Sequence, residues 1–357
     1  MLEKNKQEVT NVHKSFVQQA NGNIINYGFG YSDIKEICHD VVRQELSIVT
    51  KEASETLKNE IVTFENQFVE RLINLENQQV IEKLKTPKLQ FSLHATMKEF
   101  VKTEVADTKE ELLDLFIERL KVEEHTTEQF LIDEAIDIIP KLSRPALFLL
   151  GALTQRKIVN HGFAFIVNNS LKTQADLYEY LDELSNLDIE YLKQINCCSP
   201  ISGLRHYIGL IDMMKKNYDL LFIKAISKQE YETRVLSNPQ IPSEIKHHIM
   251  FIDGTQNEEC KLLFSSKIDL VKYLENNGII QYLSVIEDFI NSLPVFNDSE
   301  IKQYLISLNK NWEKAFKVLD MEAITNIELT PVGTYIGRRI MKKIMNRNTL
   351  PLQDFYK

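Results

Sequence analysis

From Ser32 to Leu75 the chain contains no glycine and no proline, while Ile34, Cys38, Val41, Leu46, Val49, Ala53, Leu57, Ile61, Phe64, Phe68, Leu72 and Leu75 recur mostly at three- and four-residue steps. That period puts the apolar residues on one stripe of an α-helix. Ser32 supplies an N-cap oxygen, and Asp33 sits in the first turn, where a negative charge is favoured. The spacing therefore predicts one helix of about 44 residues, ~65 Å long, far above the average for a globular protein. Such a helix either spans a whole body or packs its stripe against another copy of itself.

Just upstream, Asn23, Ile24, Ile25, Asn26 and Tyr27 form a strand-like run bounded by Gly22, Gly28 and Gly30. Five residues make no stable strand alone, so the run needs a partner strand, from the same body or from the same segment of neighbouring subunits. A capped loop is the simpler alternative. Residues 1–20 are polar and lack an apolar period, which reads as an arm. The predicted oligomerisation positions are thus Asn23, Ile24, Ile25, Asn26 and Tyr27 in the strand and Ile34, Val41 and Val49 on the helix.

The rest of the chain reads as helical. Eleven Gly and nine Pro among 357 residues leave little room for many tight turns, and 43% hydrophobic with 26% charged residues is ordinary for a globular protein. Helices are expected after the box Thr108–Glu111, after Ser143 with Pro145, from Thr173 through Leu184, over Ile208–Met214, Leu220–Ile226, Ser266–Asn276 and Gln281–Ser292, and over Asp298–Leu308. The nearly all-apolar run Ala146–Leu153 predicts a core helix, being too short to span a bilayer. Near the end, Asn326–Leu329 alternates like a strand, and Thr330 with Pro331 opens a last helix carrying Val332, Ile336, Ile340 and Ile344 on one face. The expected fold is mainly α: a flexible arm with a short strand (1–31), a long amphipathic helix (32–76), an irregular helical body (77–240) and a C-terminal helical region (241–357) ending in a small strand-turn-helix.

Chemical signatures are few and mostly have structural readings. Glu244-Ile245-Lys246 and Glu300-Ile301-Lys302 match the Glu-x-Lys of metal-dependent nucleases, yet each follows a helix cap, where a first-turn Glu answers the dipole. His39-Asp40 lacks further ligands, His247 and His248 diverge on a helix, and His161 before Gly162 reads as a helix end. Cys38, Cys197, Cys198 and Cys260 show no C-x-x-C spacing, which points to reduced thiols, and Cys197-Cys198 reads as buried rather than nucleophilic. No phosphate loop, nucleophile elbow or dinucleotide fingerprint occurs. No metal or cofactor is expected.

Net charge is −9, which disfavours wholesale nucleic-acid or lipid binding. The charge is uneven. From Glu99 to Pro140 thirteen Asp/Glu face four Lys/Arg, whereas Pro331–Lys357 carries six Lys/Arg and one acid. Solvated helix faces explain this most simply; an acidic face meeting another subunit's basic tail is the alternative. Arg338, Arg339, Lys342 and Lys343 are the one plausible nucleic-acid element. The polar N-terminus does not read as a signal peptide and no long apolar run suggests a membrane span, so a cytoplasmic protein is expected.

The segment Gly22–Gly28 followed by Gly30-Tyr31-Ser32-Asp33-Ile34-Lys35-Glu36-Ile37 resembles the opening of a family of uncharacterised bacterial helical proteins. Glu134-Ala135, Ile139-Pro140-Lys141-Leu142 and Leu329-Thr330-Pro331-Val332-Gly333 are similar to its middle and end. The family implies no activity and no catalytic residue. Its opening also resembles lead-ins of antiphage-defence proteins, although Phe29 and His39 depart from the commonest form. Together these features predict a non-catalytic, self-assembling scaffold, sensor or regulator, and the resemblance implies antiphage defence, with a second protein of such a system, as its setting. A nucleic-acid-binding regulator using the basic terminal helix is the alternative.

Overall fold

The computed structural model describes residues 51–73, 83–84, 86–201, 208–239, 241–252 and 259–346. The protein is mainly helical with a few short strands. None of the described helices is long and apolar enough to cross a membrane. The chain divides into two compact units between Leu142 and Ser143, inside the stretch 77–240 that the sequence presents as one body.

The first unit holds α1 (Lys51–Ile73), α2 (Pro87–Lys102), α3 (Ala106–Lys121) and α4 (Thr127–Ile138), extended by a 3-10 turn at Ile139–Lys141. The apolar stripe becomes a buried face: Ile61, Phe64, Phe68, Val69 and Leu72 of α1 are all buried. Phe64 stacks near Phe68 at 5.7 Å and meets Phe100 of α2 edge-on at 5.2 Å, while Phe68 lies 5.4 Å from Phe116 of α3. Four aromatic rings at these spacings supply the large, geometrically specific burial that fixes the helices on one another. Thr108 is not the cap predicted for α3. Val105 holds that position, and Thr108 is buried one turn inside, so tertiary burial overrides the local cap pattern.

The second unit packs α5 (Arg144–Gln155) and α6 (Ala164–Gln174) with α7 (Asn186–Gln194), α8 (Leu210–Asn217), α9 (Ser243–Ile249), α10 (Lys267–Asn276), α11 (Leu283–Asn291), α12 (Asp298–Leu308), α13 (Trp312–Val318) and α14 (Pro331–Met345). Ser143 caps α5, accepting from Ala146 N–H at 3.3 Å, and Leu149, Leu150, Ala152 and Leu153 are buried as the apolar run requires. Strand β1 (Cys198–Pro200) pairs antiparallel with β5 (Ile327–Leu329), Cys198 opposite Leu329. A second sheet, in the order β2-β4-β3, joins β2 (Ile226–Ser227), β3 (Met250–Ile252) and β4 (Glu259–Leu262). It closes over a separate cluster that includes Ile245, Cys260, Phe264, Leu274 and Phe289.

Two predicted helices take other forms. Leu220–Ile226 is a turn that runs into extended chain: Leu221 N–H donates to Tyr218 O and Ile223 N–H to Leu220 O, then Lys224 N–H donates to Pro294 O at 2.8 Å, Ile223 bridges Val295, and Ile226 enters β2. Backbone partners distant in the sequence, together with β-branched Ile223 and Ile226, win over the apolar period. The segment Thr173–Leu184 does not start a helix. Thr173 lies at the end of α6, whose hydroxyl donates back to Asn169 O at 2.9 Å, and the chain then tightens into 3-10 turns at Ala175–Tyr178 and Leu181–Glu183.

Candidate interaction site

Of the stripe on which assembly was predicted, the described part is α1. Asn23, Ile24, Ile25, Asn26, Tyr27, Ile34, Val41 and Val49 lie outside the described residues, as do Cys38, His39 and Asp40. From Thr56, where the surroundings of the α1 side chains are first described, Leu57 of the stripe is half-buried, Thr56, Lys58 and Asn59 are exposed, and Ile61 is the first buried residue. Ion pairs rim the packed part: Lys109 to Glu60 at 2.5 Å and Arg71 to Asp114 at 3.0 Å.

The same unit contains a charge network that single-sequence patterns could not reveal. The Arg119 side chain is fully buried, donating from Nε to Asp133 at 2.7 Å and from Nη2 to Glu124 at 2.8 Å, while Lys88 reaches Glu124 at 2.6 Å. Gln129 donates to the other Asp133 oxygen at 2.6 Å. Burial raises the Glu124 pKa, and hydrogen bonds from Lys88 and Arg119 outweigh it, leaving the carboxyl below its ordinary value. The network ties α2, α3 and α4 together.

The basic terminal helix α14 is placed as a core element. Thr330 caps it, accepting from Gly333 N–H at 3.1 Å, and its own hydroxyl donates to Asn196 O at 2.6 Å. Val332, Tyr335, Ile336, Ile340 and Met341 are buried. Arg338 and Arg339 are half-buried; Lys342 and Lys343 are exposed in the last turn. The four predicted nucleic-acid residues therefore present only two exposed ammonium groups.

The second unit also gathers polar groups around Asp269. One carboxylate oxygen accepts from the Ser265 and Ser266 hydroxyls at 2.9 and 2.7 Å, and the other faces His161 Nδ1 at 3.2 Å. The serines donate to the carboxylate rather than to the imidazole, so this is no acyl-transfer relay, which needs histidine between the two. It is a joint: Ser266 caps α10, and Ser265 holds Gly162 O at 3.1 Å. His161 sits in the loop before α6, where Gly162 adopts φ +134°, so it does not close a helix.

The other candidates resolve as structure. Glu300 and Asn297 form a capping box on α12, with Asn297, rather than Asp298 or Ser299, as the cap; Glu300 also pairs with Lys224 at 2.6 Å. Burial pushes the Cys198 thiol up to about 12, with neighbouring Cys197 adding and Lys193 opposing, so it stays protonated at neutral pH. His247 and His248 fall on α9. Among the described residues no group of three His, Cys, Asp or Glu could hold a metal ion. An open recess of about 620 Å³ is lined by residues including Asp176, Asn309 and Lys314, whose polar groups are engaged with one another and with nearby backbone.

A family model matches residues 28–355, most of the chain, starting immediately after the Asn23–Tyr27 run. The chain belongs to that family. The family is uncharacterised, in keeping with the resemblance to a family that implies no activity. No curated protein and no solved structure matches the chain.

Proposed function

We propose that the protein is a non-catalytic, self-assembling scaffold, sensor or regulator whose subunits meet through the N-terminal segment. The observation that carries this reading is where burial starts among the described side chains of α1, residues 56–72. Helices α2 and α3 have sixteen residues each, ~24 Å of length, and the α1 burial they take part in runs from Ile61 to Leu72. The apolar stripe continues in sequence through Ala53, Val49, Leu46, Val41, Cys38 and Ile34. A helix following that stripe outruns the cover two such neighbours give, and a second copy supplies an equal stripe. The Asn23–Tyr27 run, which needs a partner strand, lies directly upstream. The resemblance of the opening to lead-ins of antiphage-defence proteins makes bacterial defence, with a second protein of that system, the setting in which we place the assembly.

Light scattering tests the reading on the full chain, on a chain beginning at Ser32 and on the triple variant Ile34→Asp, Val41→Asp, Val49→Asp. The full chain should scatter as an oligomer, the shortened chain as a smaller or weaker one, and the triple variant as single chains. A monomeric full chain, or a triple variant of unchanged mass, sinks it.

A further inference from the structure

We infer that the outward face of α4 receives the basic end of α14 from a second copy of the chain. This rests on the self-assembly proposed above and adds a contact of another chemistry to it. On α4, Phe130, Glu134 and Asp137 follow one another at four- and three-residue steps and so share one stripe. All three are exposed, Phe130 at 57%. The opposite side, with Leu131, Ile132, Ala135 and Ile136, is buried, which turns the stripe outward. Among the described residues neither Glu134 nor Asp137 has an ion-pair partner. Exposed Lys141, one turn on, is the cation nearest the stripe in sequence.

An exposed aromatic ring flanked by two unneutralised carboxylates is a receptor for an ammonium or guanidinium group, since the ring face and the carboxylates attract the same charge. Phosphates are repelled there. The complementary element is on the same chain: Pro331–Lys357 carries six Lys/Arg against one acid. Lys342 and Lys343 stand exposed at the end of α14, with half-buried Arg339 on the same side, and Lys342 has no partner among the described residues.

The test uses the full chain in two charge-reversed forms, one with Glu134→Lys and Asp137→Lys, the other with Lys342→Glu and Lys343→Glu. All four side chains are exposed, and circular dichroism checks that the fold is kept. At ~0.05 M salt each form alone should show its self-association weakened roughly tenfold, and an equimolar mixture of the two should restore it. Phe130→Leu, which leaves charge unchanged, should weaken association several-fold. Unchanged association in either reversed form, or a mixture that restores nothing, overturns the inference. The Ile34→Asp, Val41→Asp, Val49→Asp variant separates the two readings. If it dissolves the assembly and charge reversal does not, only the α4 contact is wrong; in the opposite case only the N-terminal contact is. A monomeric full chain overturns both.

Discussion

Gly337 and Gly333 show how much one missing methyl group can decide. A Cβ on Gly337 would fall well inside van der Waals contact with Leu150 O and Thr154 Oγ1 of α5, and one on Gly333 would overlap Cys197 O. Glycine to alanine in a helix ordinarily gains about 1 kcal/mol from propensity. Here backbone must move, so Gly337→Ala and Gly333→Ala are each expected to cost about 3 kcal/mol. Gly151→Ala, whose nearest neighbours are the side-chain atoms Leu177 Cδ2 at 3.1 Å and Ile340 Cγ2 at 3.2 Å, should cost about 1 kcal/mol. Urea unfolding followed by fluorescence of the single, buried Trp312 checks the order; equal losses at all three positions would contradict it. Arg119 carries a second residue-scale prediction. Removing Asp133 leaves a fully buried cation with one salt-bridge partner fewer, whereas removing Arg119 leaves carboxylates that still reach water. Asp133→Leu should therefore destabilise by about 3 kcal/mol and Arg119→Met by less, read as the difference in urea midpoints by far-UV circular dichroism.

At the scale of elements, what could be read in advance divides by range. Ser143, Ser266 and Thr330 cap helices as their sequences indicate, and Asp298–Leu308 is a helix with those bounds, because a cap is set by the next three residues. Ile327–Leu329 is legible as a strand from its alternation. The turn and bridge over Leu220–Ile226 are not, because they depend on Ser265 and Pro294, far away in sequence. For the same reason the sequence exposes the apolar face of α14 but neither its central place against α5 nor the Arg119 network. Asp188 offers a test of a cap through pH. Burial raises its pKa, but hydrogen bonds from Ser185, side chain and backbone, and from the Ser143 hydroxyl outweigh this and hold it below the ordinary value. A depressed folded-state pKa contributes stability that is present above the unfolded value of ~3.9 and disappears as pH falls through the lower folded one. Because Asp188 serves the starts of both α5 and α7, Asp188→Asn should lower stability at pH 7 and flatten the acid loss of Trp312 fluorescence below about pH 4. An acid limb as steep as that of the unaltered chain would refute the assignment.

For the whole molecule, the division at Leu142 and Ser143 gives a way to ask where subunits meet. Trp312 belongs to the second unit, so its fluorescence follows that unit alone, while far-UV circular dichroism follows helices of both. Two separately packed cores need not melt together. Anything that binds the folded form and not the unfolded one raises its melting temperature in proportion to the logarithm of its concentration, and a second subunit acts as such a ligand. If the copies meet through the N-terminal segment, the stabilised structure is the first unit. At ~0.5 M salt, where surface charge contacts are screened within ~5 Å, a hundredfold rise in protein concentration should move the transition seen by circular dichroism upward and leave the Trp312 transition in place. Equal movement of both transitions would mean that the two units melt as one or that the second unit also lies in the interface. Movement of the Trp312 transition alone would take the interface away from α1, and with it the argument built on the stripe that outruns its cover.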